Sequence, residues 1–169
     1  LHEMGKVLRA TFGVDMARAA KVAASSTCDA PGFGASNVTD GNLATAWTPA
    51  DEARASELVI ELGGERTFDR VSLREAPAHG QRVEEFAVDA WRDVAFHEIA
   101  HATTIGHRRI LRVADVTTSR VRVRLERSRL EPVLSDVGLL FEPPRLQPPV
   151  IRRGRDGRVA IEASPDAEV

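Results

Sequence analysis

The chain has no tyrosine, one cysteine and only 5% aromatic residues, and each scarcity excludes something. With Cys28 alone, neither an internal disulfide nor a thiolate zinc site can form, and the redox compartment stays open. Few aromatic side chains leave little surface on which bases could stack. No apolar run approaches the roughly 20 residues of a membrane span, and the opening LHEMGKVLRATFGVD is not a signal peptide. The formal net charge of -2 and a pI near 6.2 supply no long-range field toward polyanions. Neither nucleic acid nor a membrane is therefore expected as a partner. The local run Arg120, Arg122 and Arg124 alternates with Val121, Val123 and Leu125, the pattern of one solvated strand face rather than a phosphate track.

What the chain does have suits a globular domain. Its 169 residues are 43% hydrophobic and 28% charged, enough for one core with pieces of neighbours attached. Near the start, Met4, Val7, Leu8 and Phe12 share a helical face and Gly13 stands where a C-cap belongs. Val14 to Ala20 reads as a connection, and Lys21 to Ser26 as a first short strand. The segment from Cys28 to Asn42 is loop by its Pro and Gly content. Strand signals then recur at Glu57–Leu62, Arg70–Glu75, Val83–Trp91, Val94–Ala102, Arg109–Val113, Ser119–Glu126 and Ser135–Glu142, punctuated by glycines, prolines and Arg92-Asp93. Some eight short strands with little helical periodicity imply an all-β fold, an antiparallel sandwich or jelly roll with a short N-terminal helix. After Pro143-Pro144 the composition shifts to a linker, and Val150 to Ile161 reads as the hairpin that opens a further β domain. Both ends look cut from a longer protein.

One stretch, Gly80 to Gly106, admits two readings. As a helix it would carry His97-Glu98-Ile99-Ala100-His101, the H-E-x-x-H pattern of zinc peptidases, followed at metzincin spacing by His107. That site needs a glycine where Thr104 stands and a downstream methionine turn, whereas Met4 and Met16 both lie upstream. As two strands turning at Arg92-Asp93, the stretch places His97 and His101 on one face about 13 Å apart, at ~3.3 Å per residue, too far to share an ion. The strand reading is preferred, with Phe86, Val88 and Trp91 as core contacts, and no zinc is expected.

Asp40-Gly41-Asn42-Leu43-Ala44-Thr45-Ala46-Trp47, then SELVIELG, GQRVEEFAVDAW, HEIAHATTIGHRRILR and LSDVGLLFEPP, together resemble the discoidin-like domain of bacterial family 29 glycoside hydrolases, the exo-α-L-fucosidases. The resemblance implies a galactose-binding-like β-sandwich over residues 21–143, related to coagulation-factor type C domains and to carbohydrate-binding modules. Residues 1–20 would then be the last helix of an upstream catalytic barrel plus a linker, and 144–169 a linker and the start of a further β domain. It also implies a secreted or periplasmic enzyme whose barrel, missing here, carries the catalytic carboxylates. The chain alone is expected to be non-catalytic, acting as structural support for the barrel or as a carbohydrate-binding module. A stand-alone sugar-binding module is the alternative.

Two sets of side chains follow from the resemblance. In similar modules a loop like 40–45 holds a structural calcium, which points to Asp40, Asn42, Thr45 and Asp136, helped by the carbonyls of Val38 and Ser135. Calcium accepts six to eight oxygens in flexible geometry, yet the same loop could be an Asx turn that needs no metal. Trp47 is read as core beneath it. The loops that could meet a sugar carry Phe33, Glu75, His79, Gln81 and Arg82, an apolar ring with convergent polar groups. The charged members could equally be ion pairs that fix a loop. Glu84, Glu85 and Asp89 lie on an expected strand with no accompanying motif.

Overall fold

A computed structural model describes residues 14–50, 53–142, 150–153 and 159–162. The helix expected over the first twelve residues lies outside them. Strands β1 (Lys21–Ala24), β2 (Ser56–Glu75), β3 (Val83–Arg92), β4 (Ala95–Ala102), β5 (Arg109–Ser128) and β6 (Leu134–Leu140) form one antiparallel sheet, and β7 (Val150–Arg153) pairs with β8 (Val159–Glu162) in a separate hairpin. Short 3-10 turns at Ala35–Thr39 and Pro77–His79 are the helical elements among the described residues.

The six-stranded sheet runs β1-β2-β5-β3-β4, with β6 also on β2. Strands β2 and β5 are 20 residues each and serve both layers of the sandwich. The first half of β2, Ser56 to Glu61, pairs with Leu125 to Arg120, and Lys21 to Ala24 of β1 flanks it. The second half, Arg66 to Leu73, pairs with Thr118 to Arg109, and β6 flanks it from Arg70 to Glu75. Register breaks between Glu61 and Arg66 and between Phe68 and Arg70 divide the halves. Bulges of this kind bend a strand and raise its twist, so the sheet closes over itself.

This corrects the strand count. Glu57–Leu62 and Arg70–Glu75 are one strand, as are Arg109–Val113 and Ser119–Glu126. Gly63-Gly64 reads as a turn by composition, but here it occupies a bulge whose partner strand, rich in β-branched residues from Val116 to Thr118, continues unbroken.

The core lies between the layers. Leu58, Ile60, Val121, Val123, Phe86 and Val88 from one side meet Phe68, Val71, Leu73, Val137 and Leu139 from the other, all fully buried. Alternation along β5 is clean, with Val121, Val123 and Leu125 inward and Arg120, Arg122 and Arg124 outward. Trp47 is fully buried, and its indole N–H donates to the Ser26 carbonyl at 3.1 Å. A ring of that size needs such a partner when buried.

The Gly80–Gly106 stretch is two strands, and the tight turn between them is Asp93-Val94, one residue later than the sequence suggests. Arg92 pairs with Ala95, and both turn residues have positive φ, 49° for Asp93 and 63° for Val94. That is the primed turn whose twist matches a two-residue hairpin. Phe86 and Val88 are fully buried as expected. Trp91 is half-buried, edge-on to Phe96 at 4.9 Å, with the Arg120 guanidinium 5.4 Å from its ring centre.

Candidate functional site

Four loops meet at one end of the sandwich, and Glu75, at the end of β2, ties two of them together. Its side chain is 2% exposed. Oε1 accepts the amides of Arg82 at 2.6 Å and Val83 at 2.8 Å, and Oε2 accepts that of Gly106 at 2.8 Å. Three backbone donors on one carboxylate fix the 76–82 and 103–108 loops to each other, and hydrogen bonds to a charged acceptor are the stronger kind. Glu75 therefore works beneath the surface in this arrangement, and the surface above it belongs to its neighbours.

Those neighbours are the other residues of the sugar set. The Phe33 and His79 rings meet edge to face at 5.7 Å and 70°. Phe33 is half-buried against Ala46, Ala76 and Val133, while His79 and Gln81 are exposed. Gln81 lies against Gly106, where a Cβ would come within 2.8 Å of its amide nitrogen. Arg82 donates through Nε to the His79 carbonyl at 3.0 Å and through Nη1 to that of Glu131 at 2.8 Å. Thr104 holds a left-handed φ of 47° beside them, an unfavourable conformation for a β-branched residue. The end thus presents a ring pair, an amide and a guanidinium edge on a rigid base. Glu131 and the 103–106 loop were not legible as members from the sequence.

The calcium set is arranged differently. Asp40 Oδ1 accepts the Asn42 amide at 2.7 Å and Oδ2 the Thr45 hydroxyl at 2.7 Å, while Asn42 Oδ1 accepts the Ala44 amide at 3.1 Å. The loop is thereby an Asx turn closed on its own side chains. Asp136 makes no hydrogen bond to it and instead faces Arg18, 3.7 Å away. The same guanidinium reaches the loop, since a Cβ on Gly41 would fall 2.4 Å from Arg18 Nη1. Arg18 also pairs with Asp15 at 3.2 Å, and Asp15 in turn accepts the Leu139 amide of β6 at 2.9 Å. Burial pushes the Asp136 carboxyl above its ordinary range, with the Arg18 charge opposing. A guanidinium already bridges the two parts of the ligand set, so the residues as arranged do not fit calcium without displacing Arg18.

The zinc motif fares worse as a motif. His97 and His101 lie on β4 opposite Ala90 and Ala87, and the helix that would bring them onto one ion is absent. The arginine face reads as solvated and paired: Arg122 and Arg124 donate to buried Asp89 at 2.7 and 2.8 Å, and Arg124 also reaches Glu98 at 2.7 Å.

A two-layer sandwich of this topology, with loops gathered at one end, can be compared with known families. The model of the F5/8 type C domain matches residues 21–133. The chain belongs to that family. A putative α-L-fucosidase 1 from Oryza sativa subsp. japonica is 28% identical to this F5/8 type C domain chain over 145 residues, covering 84% of the chain and 28% of the relative. Among solved structures, a GH29 fucosidase from Ruminococcus gnavus in complex with fucose is 27% identical, with a TM-score of 0.74 over 84% of the chain and 29% of its own length. A chitosan-binding module 2 of a Paenibacillus sp. IK-5 chitosanase/glucanase, in complex with chitotriose, shares the fold at a TM-score of 0.67 and 21% identity, over 74% of the chain and 98% of the module. The chain thus spans less than a third of the fucosidase relatives, and nearly the whole of the module.

Proposed function

We propose that this F5/8 type C domain is the non-catalytic β-sandwich of an α-L-fucosidase, and that its loop end contacts glycan. The observation that carries the proposal is the surface above Glu75: the Phe33–His79 ring pair beside Gln81 and Arg82, on loops locked by three backbone hydrogen bonds. Sugar recognition calls for an apolar platform with a few fixed polar groups, and loops on a rigid scaffold are where binding residues concentrate. The fucosidase context is supported by the relatives, and the sugar context also by the chitotriose-bound module that shares the fold. Retaining hydrolysis requires two carboxyl groups about 5 Å apart in defined roles around the scissile bond. That work is assigned to a catalytic domain of the same polypeptide, which this module would support.

A second reading has the loop end packing on that catalytic domain. It is favoured by Arg82, whose guanidinium is already engaged by the His79 and Glu131 carbonyls. Two assays of the 169-residue chain separate the possibilities. Binding on a glycan array, lost in Phe33→Ala, together with no turnover of an aryl α-fucoside, is the expected outcome. An array without binding favours the packing role, and turnover contradicts a non-catalytic assignment.

A further inference from the structure

The outward face of β3, β4 and β5 carries a cluster that the sugar end does not use. Glu85 on β3, His101 on β4 and Glu126 on β5 come together over Ala87, whose register partners are His101 on one side and Arg124 on the other. His101 Nε2 is 3.3 Å from Glu85 Oε1 and 3.3 Å from Glu126 Oε2, and the three ligand atoms all lie within 4.8 Å of one another. Each glutamate turns its other oxygen to an arginine: Glu85 Oε2 lies 3.7 Å from Arg127 Nε, and Glu126 Oε1 pairs with Arg124 Nη1.

The separations suit an ion between the three groups as well as a direct contact. A charge-assisted N–H···O bond closes to about 2.7–2.9 Å, and Nε2 stands off both carboxylates by the same larger amount. Zinc bonds to imidazole nitrogen and carboxylate oxygen at about 2.0–2.2 Å, and a tetrahedron of such bonds has edges of roughly 3.3–3.5 Å. Arginines holding the outer oxygens orient the inner ones, as partners outside a metal's own ligands do. We propose that Glu85 Oε1, His101 Nε2 and Glu126 Oε2 form a surface site for a divalent transition-metal ion of the zinc class, with water completing its coordination. The ion would tie the edge strand β4 to β3 and β5. This site uses one histidine of the HEIAH run and leaves His97 out, unlike the helical pattern that the run spells.

Zinc chloride titrated calorimetrically into the chelator-treated 169-residue chain near neutral pH tests it. One equivalent should bind, with affinity reduced about tenfold or more in His101→Ala and in Glu126→Gln, and unchanged in His97→Ala. Melting curves should show all three variants folded, as their exposed or half-buried positions imply. Uptake no greater than in His101→Ala overturns the proposal, leaving the His101 ring in direct contact with the two carboxylates. Loss of binding in His97→Ala as severe as in His101→Ala also overturns it, since uptake would then not be specific to the Glu85–His101–Glu126 cluster.

Discussion

Val94 occupies the second position of the β3–β4 turn at φ 63° and is 85% exposed. A β-branched side chain there meets the following carbonyl and has no burial to offset the strain. Left-handed backbone costs an L-residue about 1–2 kcal/mol, so Val94→Gly is expected to raise stability by roughly 1 kcal/mol after glycine's unfolded-state entropy is discounted. A urea midpoint that falls instead would refute the turn assignment. Glu75 makes the opposite case. Glu75→Gln places an N–H₂ where backbone amides converge and strands at least one buried donor, at a cost of about 1–3 kcal/mol. Amide exchange should quicken at Arg82, Val83 and Gly106, and exchange rates equal to those of the parent would show that the carboxylate is not the anchor. Phe33 on one loop, and Glu75, His79, Gln81 and Arg82 on another, are legible in the sequence as loop residues of suitable chemistry; their mutual contacts and the direction of Glu75 are not. Whether a carboxylate faces water or three backbone amides depends on Gly106, which is 31 residues away.

Elements were legible where periodicity is local. Alternating arginine and valine from Arg120 to Leu125 marks a strand with one wet face, and it is one. The pattern HEIAH is ambiguous alone, but β-branched Thr103, Thr104 and Ile105 after it favour strands. The lengths of β2 and β5 were not legible, because a bulge and a turn draw on the same residues and only the partner strand distinguishes them. Arg18 was missed for a related reason: its site is built by contacts such as Asp15 to Leu139, separated by 124 positions. With this guanidinium spanning Asp15, Asp136 and the 40–45 turn, neither calcium nor a chelator is expected to move the melting temperature. Arg18→Ala should lower stability by no more than about 1 kcal/mol, as its pairs are partly exposed. A melting temperature that climbs with calcium concentration would mean that the ion binds the folded state and displaces the arginine.

At the scale of the molecule, the sandwich separates its tasks. The layers bury the core, the Glu75-anchored loops present rings and polar groups at one end, and the β3-β4-β5 face carries paired charges with the Glu85–His101–Glu126 cluster among them. No helix among the described residues is long and apolar enough to cross a membrane. On the proposed reading, such a module would hold glycan near a catalytic domain, at loops already fixed to one another by Glu75. The most direct measurement is a titration of the isotopically labelled 169-residue chain with a fucosylated oligosaccharide, followed by amide chemical shifts. Saturable shifts confined to Phe33, His79, Gln81, Arg82 and Gly106 are expected, with β1 and β4 unmoved. Shifts centred elsewhere on the sandwich, or none up to the solubility of the sugar, would contradict it.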